Sequence, residues 1–173
     1  MDIKASKQKI AIYGGGRWAK VWLKILLQNT HQDLLFSIHS NGLYRDMIEW
    51  IEAQDLNKRV NVSKEAPDFL KQNYIGAVVV NAASSHKDSA LSAIQANIPV
   101  LVEKPLTTSY LDTEVLIKEA KKHQIHWGDT TEYLSSTSND KKGRYIYKHI
   151  KNLFFNVFDP FYRYLFLYYT MQV

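Results

Sequence analysis

Cysteine is absent from all 173 residues. That excludes a disulfide framework, thiolate metal sites and a cysteine nucleophile, and it suits a reducing cytoplasm, the expected location. Long apolar runs are missing as well. A membrane helix needs at least about 18 uncharged apolar residues in a row, and no such stretch exists. The opening MDIKASKQK is polar and leads directly into an apolar run, so no signal peptide is expected. Internal repeats and low-complexity tracts are lacking too. Glycine is sparse, at seven residues, yet three stand together as Gly14-Gly15-Gly16. The length suits one domain, or one domain plus a fragment of another.

Acid is in short supply: 22 Lys/Arg against 17 Asp/Glu give a net charge of +5. The excess is not spread evenly. Residues 1–138 hold 16 basic and 15 acidic residues, a near balance. Beyond them, Lys141, Lys142, Arg144, Lys148, Lys151 and Arg163 face only Asp140 and Asp159. That segment also carries 11 of the 22 Phe, Tyr and Trp residues. The chain therefore reads as a domain over 1–135 and a basic, aromatic tail over 136–173. The charge belongs to the tail and does not mark the body as a nucleic-acid binder.

Within the body, apolar runs alternate with helical stripes. Ile10–Tyr13 predicts a strand, and Trp18, Val21, Trp22, Ile25 and Leu26 predict one face of a helix. Leu34–His39 predicts a second strand, and Leu43, Met47, Trp50 and Ile51 a second helix. Arg59–Val62 predicts a third strand, with a brief helix near Pro67. Ile75–Asn81 is apolar and β-branched, as a central parallel strand buried on both faces should be. Ser84 or Ser85 is expected to cap a helix running to about Ala96, and Ile98–Val102 predicts a fifth strand. Thr108 or Ser109 opens a helix with Asp112 and Glu114 early and Lys118, Lys121 and Lys122 late, the charge order a helix dipole favours. Ile125–Trp127 is the candidate sixth strand. This alternation predicts an α/β fold, a doubly wound and mainly parallel Rossmann-like sheet, followed by the short aromatic tail.

Gly14-x-Gly16-x-x-Ala19 falls where the first strand passes into the first helix. The first glycine permits the tight turn, and the second lets the backbone approach a pyrophosphate. The small Ala19 lets the helix pack closely on the strand. The helix N-terminus then offers N–H groups and partial positive charge to phosphates. Arg17 and Trp18 open that helix and are counted with the turn as cofactor contacts. A bare match of this kind also fits a flexible turn, but the strand before it and the amphipathic helix after it favour dinucleotide binding. A Walker-type site is not expected, because the P-loop Lys and Ser/Thr are missing. At the end of the second strand, where NAD-preferring domains place an acid, the sequence reads His39-Ser40-Asn41-Gly42, with Arg45 close by. Ser40, Asn41 and Arg45 favour a 2′-phosphate, hence NADP over NAD. As ordinary turn and surface residues they would favour neither.

The run 78–107, VVVNAASSHKDSALSAIQANIPVLVEKPLT, resembles the first domain of the Gfo/Idh/MocA oxidoreductases. There a central strand ends in a small-residue loop and a histidine, here Ala82–His86. A later strand ends in Glu-Lys-Pro, here Glu103-Lys104-Pro105. With the glycine turn, the resemblance covers residues 9 to about 135. It implies an NAD(P)-dependent oxidoreductase transferring hydride on a small-molecule substrate, a sugar, cyclitol or similar hydroxyl–carbonyl pair. It also implies that Ala82, Ala83, Ser84, His86, Glu103 and Lys104 line the cofactor. Lys104 is the implied catalytic residue, lying by the nicotinamide and the reacting carbon, where it can stabilise negative charge on the substrate oxygen. Without the resemblance Lys104 reads as a surface lysine beside a turn proline, whose peptide bond the family often holds cis.

Other candidates carry less. Ser84-Ser85-His86 lacks a nucleophile elbow and reads as a cap. His123-x-x-His126 has no further ligand at metal spacing, so no metal is expected. Glu49/Glu52 and Asp112/Glu114 read as exposed helix charges. Relatives carry a second domain that covers the nicotinamide and commonly forms a homo-oligomer, and Asn152–Tyr164 faintly resembles its start at Asp159-Pro160 and Arg163-Tyr164. The tail is accordingly read as a truncated stub, with a native extension as the alternative. Asp159-Pro160 interrupts any long amphipathic helix, so neither membrane nor nucleic acid is an expected partner. The competing function is a non-catalytic cofactor-binding module, a sensor or partner subunit.

Overall fold

The computed structural model describes residues 7–125 and the strand 127–129. The tail and His126 lie outside the described residues. Eleven elements follow in chain order, six of them strands. The first four are β1 (Lys9–Tyr13), α1 (Arg17–Asn29), β2 (Leu35–His39) and α2 (Tyr44–Ala53). Then come β3 (Val60–Ser63), β4 (Tyr74–Val79) and a single 3-10 turn at Ala83–Ser85. The chain continues through α3 (His86–Gln95), β5 (Val100–Val102), α4 (Tyr110–Lys122) and β6 (Trp127–Asp129).

The strands form one sheet in the order β3-β2-β1-β4-β5-β6, and every pairing is parallel. This is the expected Rossmann-like α/β fold, parallel throughout rather than mainly so. Helices cover both faces, so alternate residues of the central strands are buried on opposite sides. Ile10 and Ile12 of β1 join α1 and α2 residues such as Leu23, Leu26, Met47 and Ile51 on one face. Ala11 and Tyr13 join Ala90, Ala93, Ile94, Leu116 and Ala120 of α3 and α4 on the other. Among the described residues no helix is long and apolar enough to cross a membrane.

Four local expectations are corrected. The buried face of α1 is Ala19, Trp22, Leu23 and Leu26, about one residue round from the expected stripe. Trp18 is 41% exposed at the helix start, and Val21 faces a groove rather than the core. No helix forms after Pro67. The Asp68 carboxylate accepts from Lys71 N at 3.1 Å, and the chain re-enters the sheet at Tyr74, too soon to offset the cost of nucleating a helix. Ser85 precedes α3 without a side-chain cap bond, because the 3-10 turn supplies backbone pairing there, Ser85 N donating to Ala82 O at 2.7 Å. Ser109 does cap α4, its side chain accepting from Asp112 N. Asp112 is also more than an exposed charge. It pairs with Lys87 at 2.9 Å and ties α4 to α3.

Candidate cofactor crevice

The strand order reverses between β1 and β4, since β2 lies beyond one and β5 beyond the other. Open parallel sheets bind ligands in the crevice at the carboxyl ends flanking such a reversal. The last ladder bonds mark that edge. Gly14 N donates to His39 O, Val80 N to Tyr13 O, Glu103 N to Val79 O, each at 2.9 Å, and Ser40 N to Ser63 O at 3.0 Å. Just past these bonds stand Ser40, the glycine turn, Asn81 and Lys104, one beyond each of β2, β1, β4 and β5. Three inter-strand spacings of about 4.8 Å separate the first from the last, roughly 14 Å in all.

The three glycines have three different reasons to be glycine. Gly14 adopts φ +124°, and a Cβ there would stand 2.9 Å from Val80 O and 3.0 Å from Asn81 N. It is demanded by the turn and by close packing on β4. Gly15 is demanded by Ser40, whose Oγ would lie 2.5 Å from an added Cβ. Gly16 is different. It precedes α1 with φ −83°, and an added Cβ would meet nothing nearer than Leu43 Cδ1 at 3.8 Å. Nothing in the protein's own packing forbids a side chain at Gly16, so the open backbone there is left for an incoming group. The first turn of α1 has no acidic residue and no side-chain cap. Ala19 is fully buried against the sheet, as a small residue at that position should be.

A groove of about 420 Å³ runs from this turn between α1 and α2. Gly15, Gly16, Arg17, Lys20, Lys24 and Trp50 line it, with Val21, Leu43 and Asp46. Lys20 and Lys24 set their ammonium groups 5.4 and 5.6 Å from the Trp50 ring centre, and Arg17 lies 5.9 Å from that of Trp18. Three cations against one carboxylate make the groove electropositive. Sequence inspection missed Lys20, Lys24 and Trp50 here. Their signal was a basic stripe at 17, 20 and 24, one turn apart, on the face of α1 away from the core.

Ser40 packs against the turn and accepts from Leu43 N at 3.4 Å. Asn41 and Arg45 are exposed and do not line the groove; Asp46, one residue on, does. His39 is held between elements, its Nδ1–H donating to Glu65 O at 2.6 Å. Burial pushes its pKa below the ordinary histidine value, partly offset by that hydrogen bond.

On the other side of the reversal, Ala82 and Ser84 are exposed and Ala83 half-buried. Asn81 Nδ2 donates to Ser89 Oγ at 2.9 Å, while its Oδ1 is buried without a hydrogen-bond partner among the described residues. His86 is only 2% exposed and lies beneath the loop. Glu103 is buried and accepts from Lys104 N at 3.0 Å. Lys104 is exposed at the rim, and its bond to Pro105 is cis. His123 sits away from the crevice at the end of α4, Nδ1 3.0 Å from Asn97 Oδ1. Among the described residues no group of three His, Cys, Asp or Glu is placed to hold a metal.

A family model described as the oxidoreductase family, NAD-binding Rossmann fold (Gfo/Idh/MocA), matches residues 8–127. The chain belongs to this family. Solved Gfo/Idh/MocA-type structures share the fold. Myo-inositol 2-dehydrogenase from Lactobacillus plantarum aligns with TM-score 0.61 and 20% identity, over 83% of this chain and 41% of that one. GenD2 from gentamicin A biosynthesis, in complex with NAD, aligns with TM-score 0.58 and 19% identity, over 75% and 36%. A Gfo/Idh/MocA family oxidoreductase from Vibrio cholerae aligns with TM-score 0.56 and 23% identity, over 72% and 39%. The chain thus spans roughly two-fifths of the length of these structures. No curated protein sequence matches it. The matched fold is an NAD-binding one, and the crevice between β1 and β4 is the candidate place for that cofactor, with residues that fit the use. Gly16 leaves room, the α1 N-terminus lacks a competing anion, and the groove beside it is basic.

Proposed function

We propose that this chain binds NADP(H) across the carboxyl edge of its sheet and serves hydride transfer on a polyol, sugar or cyclitol. The open Cβ position at Gly16, at the uncapped start of α1, is the observation that carries the reading. A pyrophosphate seated there meets backbone N–H groups and the positive end of the helix. The distance from Ser40 to Lys104 suits two nucleotide units laid end to end, with the adenosine half over β2 and the nicotinamide half over β5. The cationic groove formed by Arg17, Lys20 and Lys24, close to Ser40, supports a phosphate on the adenosine side and so favours NADP. Arg45 can reach the same phosphate only from outside the groove.

Bound nicotinamide supplies or accepts the hydride. The chain's own part is to hold Lys104 at the rim over β5, where its ammonium group can hydrogen-bond a substrate oxygen and stabilise charge building there. Glu103, buried beneath it, fixes the backbone of Lys104 through the bond to its N–H. Calorimetric titration with NADPH and NADH tests the reading: NADPH is expected to bind more tightly, and binding of neither at millimolar concentration would overturn it. Where a polyol is turned over, Lys104→Ala is expected to remove the rate and leave cofactor affinity in place.

A further inference from the structure

The two loops that form the nicotinamide side of the crevice leave the sheet after Val80 and Glu103, beyond the last ladder bonds. One histidine ring lies between them. His86 Nδ1 stands 2.8 Å from Pro105 O and Nε2 3.1 Å from Asn81 O. The first carbonyl belongs to the residue after Lys104, and the second to the residue that abuts Gly14. At 2% exposure the ring has almost no surface to offer a ligand.

From this geometry we infer that His86 is a positioning residue: it braces Lys104 and the loop after β4 against each other and does not itself touch the cofactor. A polar group this deeply buried costs about 1–3 kcal/mol when left unpaired, so the ring must spend its N–H on a protein acceptor. Carbonyl oxygens only accept, and one N–H serves one of them; the shorter contact assigns it to Nδ1, donating to Pro105 O. Pro105 cannot move outward without losing that bond. Lys104, on the short path between Glu103 and Pro105, is held at both ends: behind by the Glu103 carboxylate on its N–H, ahead by His86 on the next carbonyl. The inference rests on the cofactor reading only in that the braced crevice is that reading's site.

Two substitutions separate the two contacts. The amide nitrogen of an asparagine sits near the place of Nδ1, and that of a glutamine near Nε2. His86→Asn therefore keeps the Pro105 contact and gives up Asn81, while His86→Gln does the reverse. The readout is the ¹³C-methyl signal of reductively methylated Lys104, assigned with Lys104→Arg, beside NADPH affinity. His86→Gln is expected to shift the Lys104 signal away from its wild-type position and to weaken NADPH about tenfold. His86→Asn is expected to leave the Lys104 signal near wild type. Identical behaviour of the two variants, or a wild-type Lys104 signal in His86→Gln, would overturn the inference. Should either variant fail to fold, the ring ¹⁵N shifts of His86 in the wild-type protein decide it, since an Nδ1 without a proton contradicts the brace. Failure of the wild type to bind NADPH or NADH counts against the cofactor reading alone, because the Lys104 signal and the ring shifts are measured without ligand.

Discussion

The glycine turn separates folding from binding at single positions. An alanine at Gly14 would have to adopt φ +124° with its Cβ 2.9 Å from the Val80 carbonyl oxygen, which is backbone and cannot step aside. Gly14→Ala is expected to cost more than about 2 kcal/mol of stability, read from urea unfolding. Gly16→Ala meets only Leu43 Cδ1 at 3.8 Å with an unstrained φ, so stability should change by no more than about 0.5 kcal/mol. Its methyl group would occupy the approach to the helix N-terminus instead, and dinucleotide affinity should fall at least about tenfold. Loss of stability without loss of affinity in Gly16→Ala would show that this glycine serves the fold rather than the ligand. Gly14, Gly16 and Ala19 were legible in the sequence because backbone geometry and close approach admit few residue types. Gly15 was not, because its reason is Ser40, which arrives from another strand. His86 was legible as a residue but not as a brace, since both its partners are carbonyl oxygens, which leave no mark on a sequence.

Among the elements, the helix caps show how local signals and packing divide the work. Ser85 and Ser109 are equally good cap residues by type, yet only Ser109 uses its side chain, accepting from Asp112 N. Ser109→Ala is expected to cost about 0.5–1 kcal/mol, and Ser85→Ala almost nothing, in the same denaturant titration. Equal costs would mean that the 3-10 turn before α3 does not take over the capping. The strands were legible because parallel strands buried on both faces must be apolar throughout, as in β4. Their ends moved by one or two residues, since the ladder and not the composition sets them. The α1 stripe came out rotated because the apolar side chains Trp18 and Val21 look like core, yet Trp18 is exposed at the helix start and Val21 lines a groove. That groove could not be read from one helix, since Trp50 of α2 closes it. The helix expected at Pro67 failed because β4 begins at Tyr74, leaving too few residues to offset nucleation.

For the molecule as a whole, the described histidine that links stability to mild acid is His39, at the end of β2 between β1 and β3. Its ring packs near Tyr13 and Tyr74, with centroids 6.0 and 6.5 Å away, and its Nδ1–H donates to Glu65 O. Burial holds its pKa below the ordinary value of about 6.5. The unfolded chain therefore takes up this proton first as pH falls. Its contribution to stability is complete above about pH 6.5 and is lost as pH drops from there towards the lower folded-state value. The carboxylates of Asp68 and Glu119 act elsewhere: hydrogen bonds from Lys71 and Lys122 hold their pKa values below the usual carboxylate range, so their loss begins only in stronger acid. Thermal unfolding is accordingly expected at a lower temperature at about pH 5.5 than at about pH 7.5, and His39→Asn, which keeps a donor for Glu65 O, should flatten that slope. A slope unchanged in His39→Asn would assign the acid sensitivity to another group. Because the His39 carbonyl also receives the Gly14 N–H, acid loosening of this strand end should reach the glycine turn directly. Dinucleotide affinity should then weaken over the same pH range in the wild type and hold steady in His39→Asn, which ties the stability of the sheet edge to the site built on it.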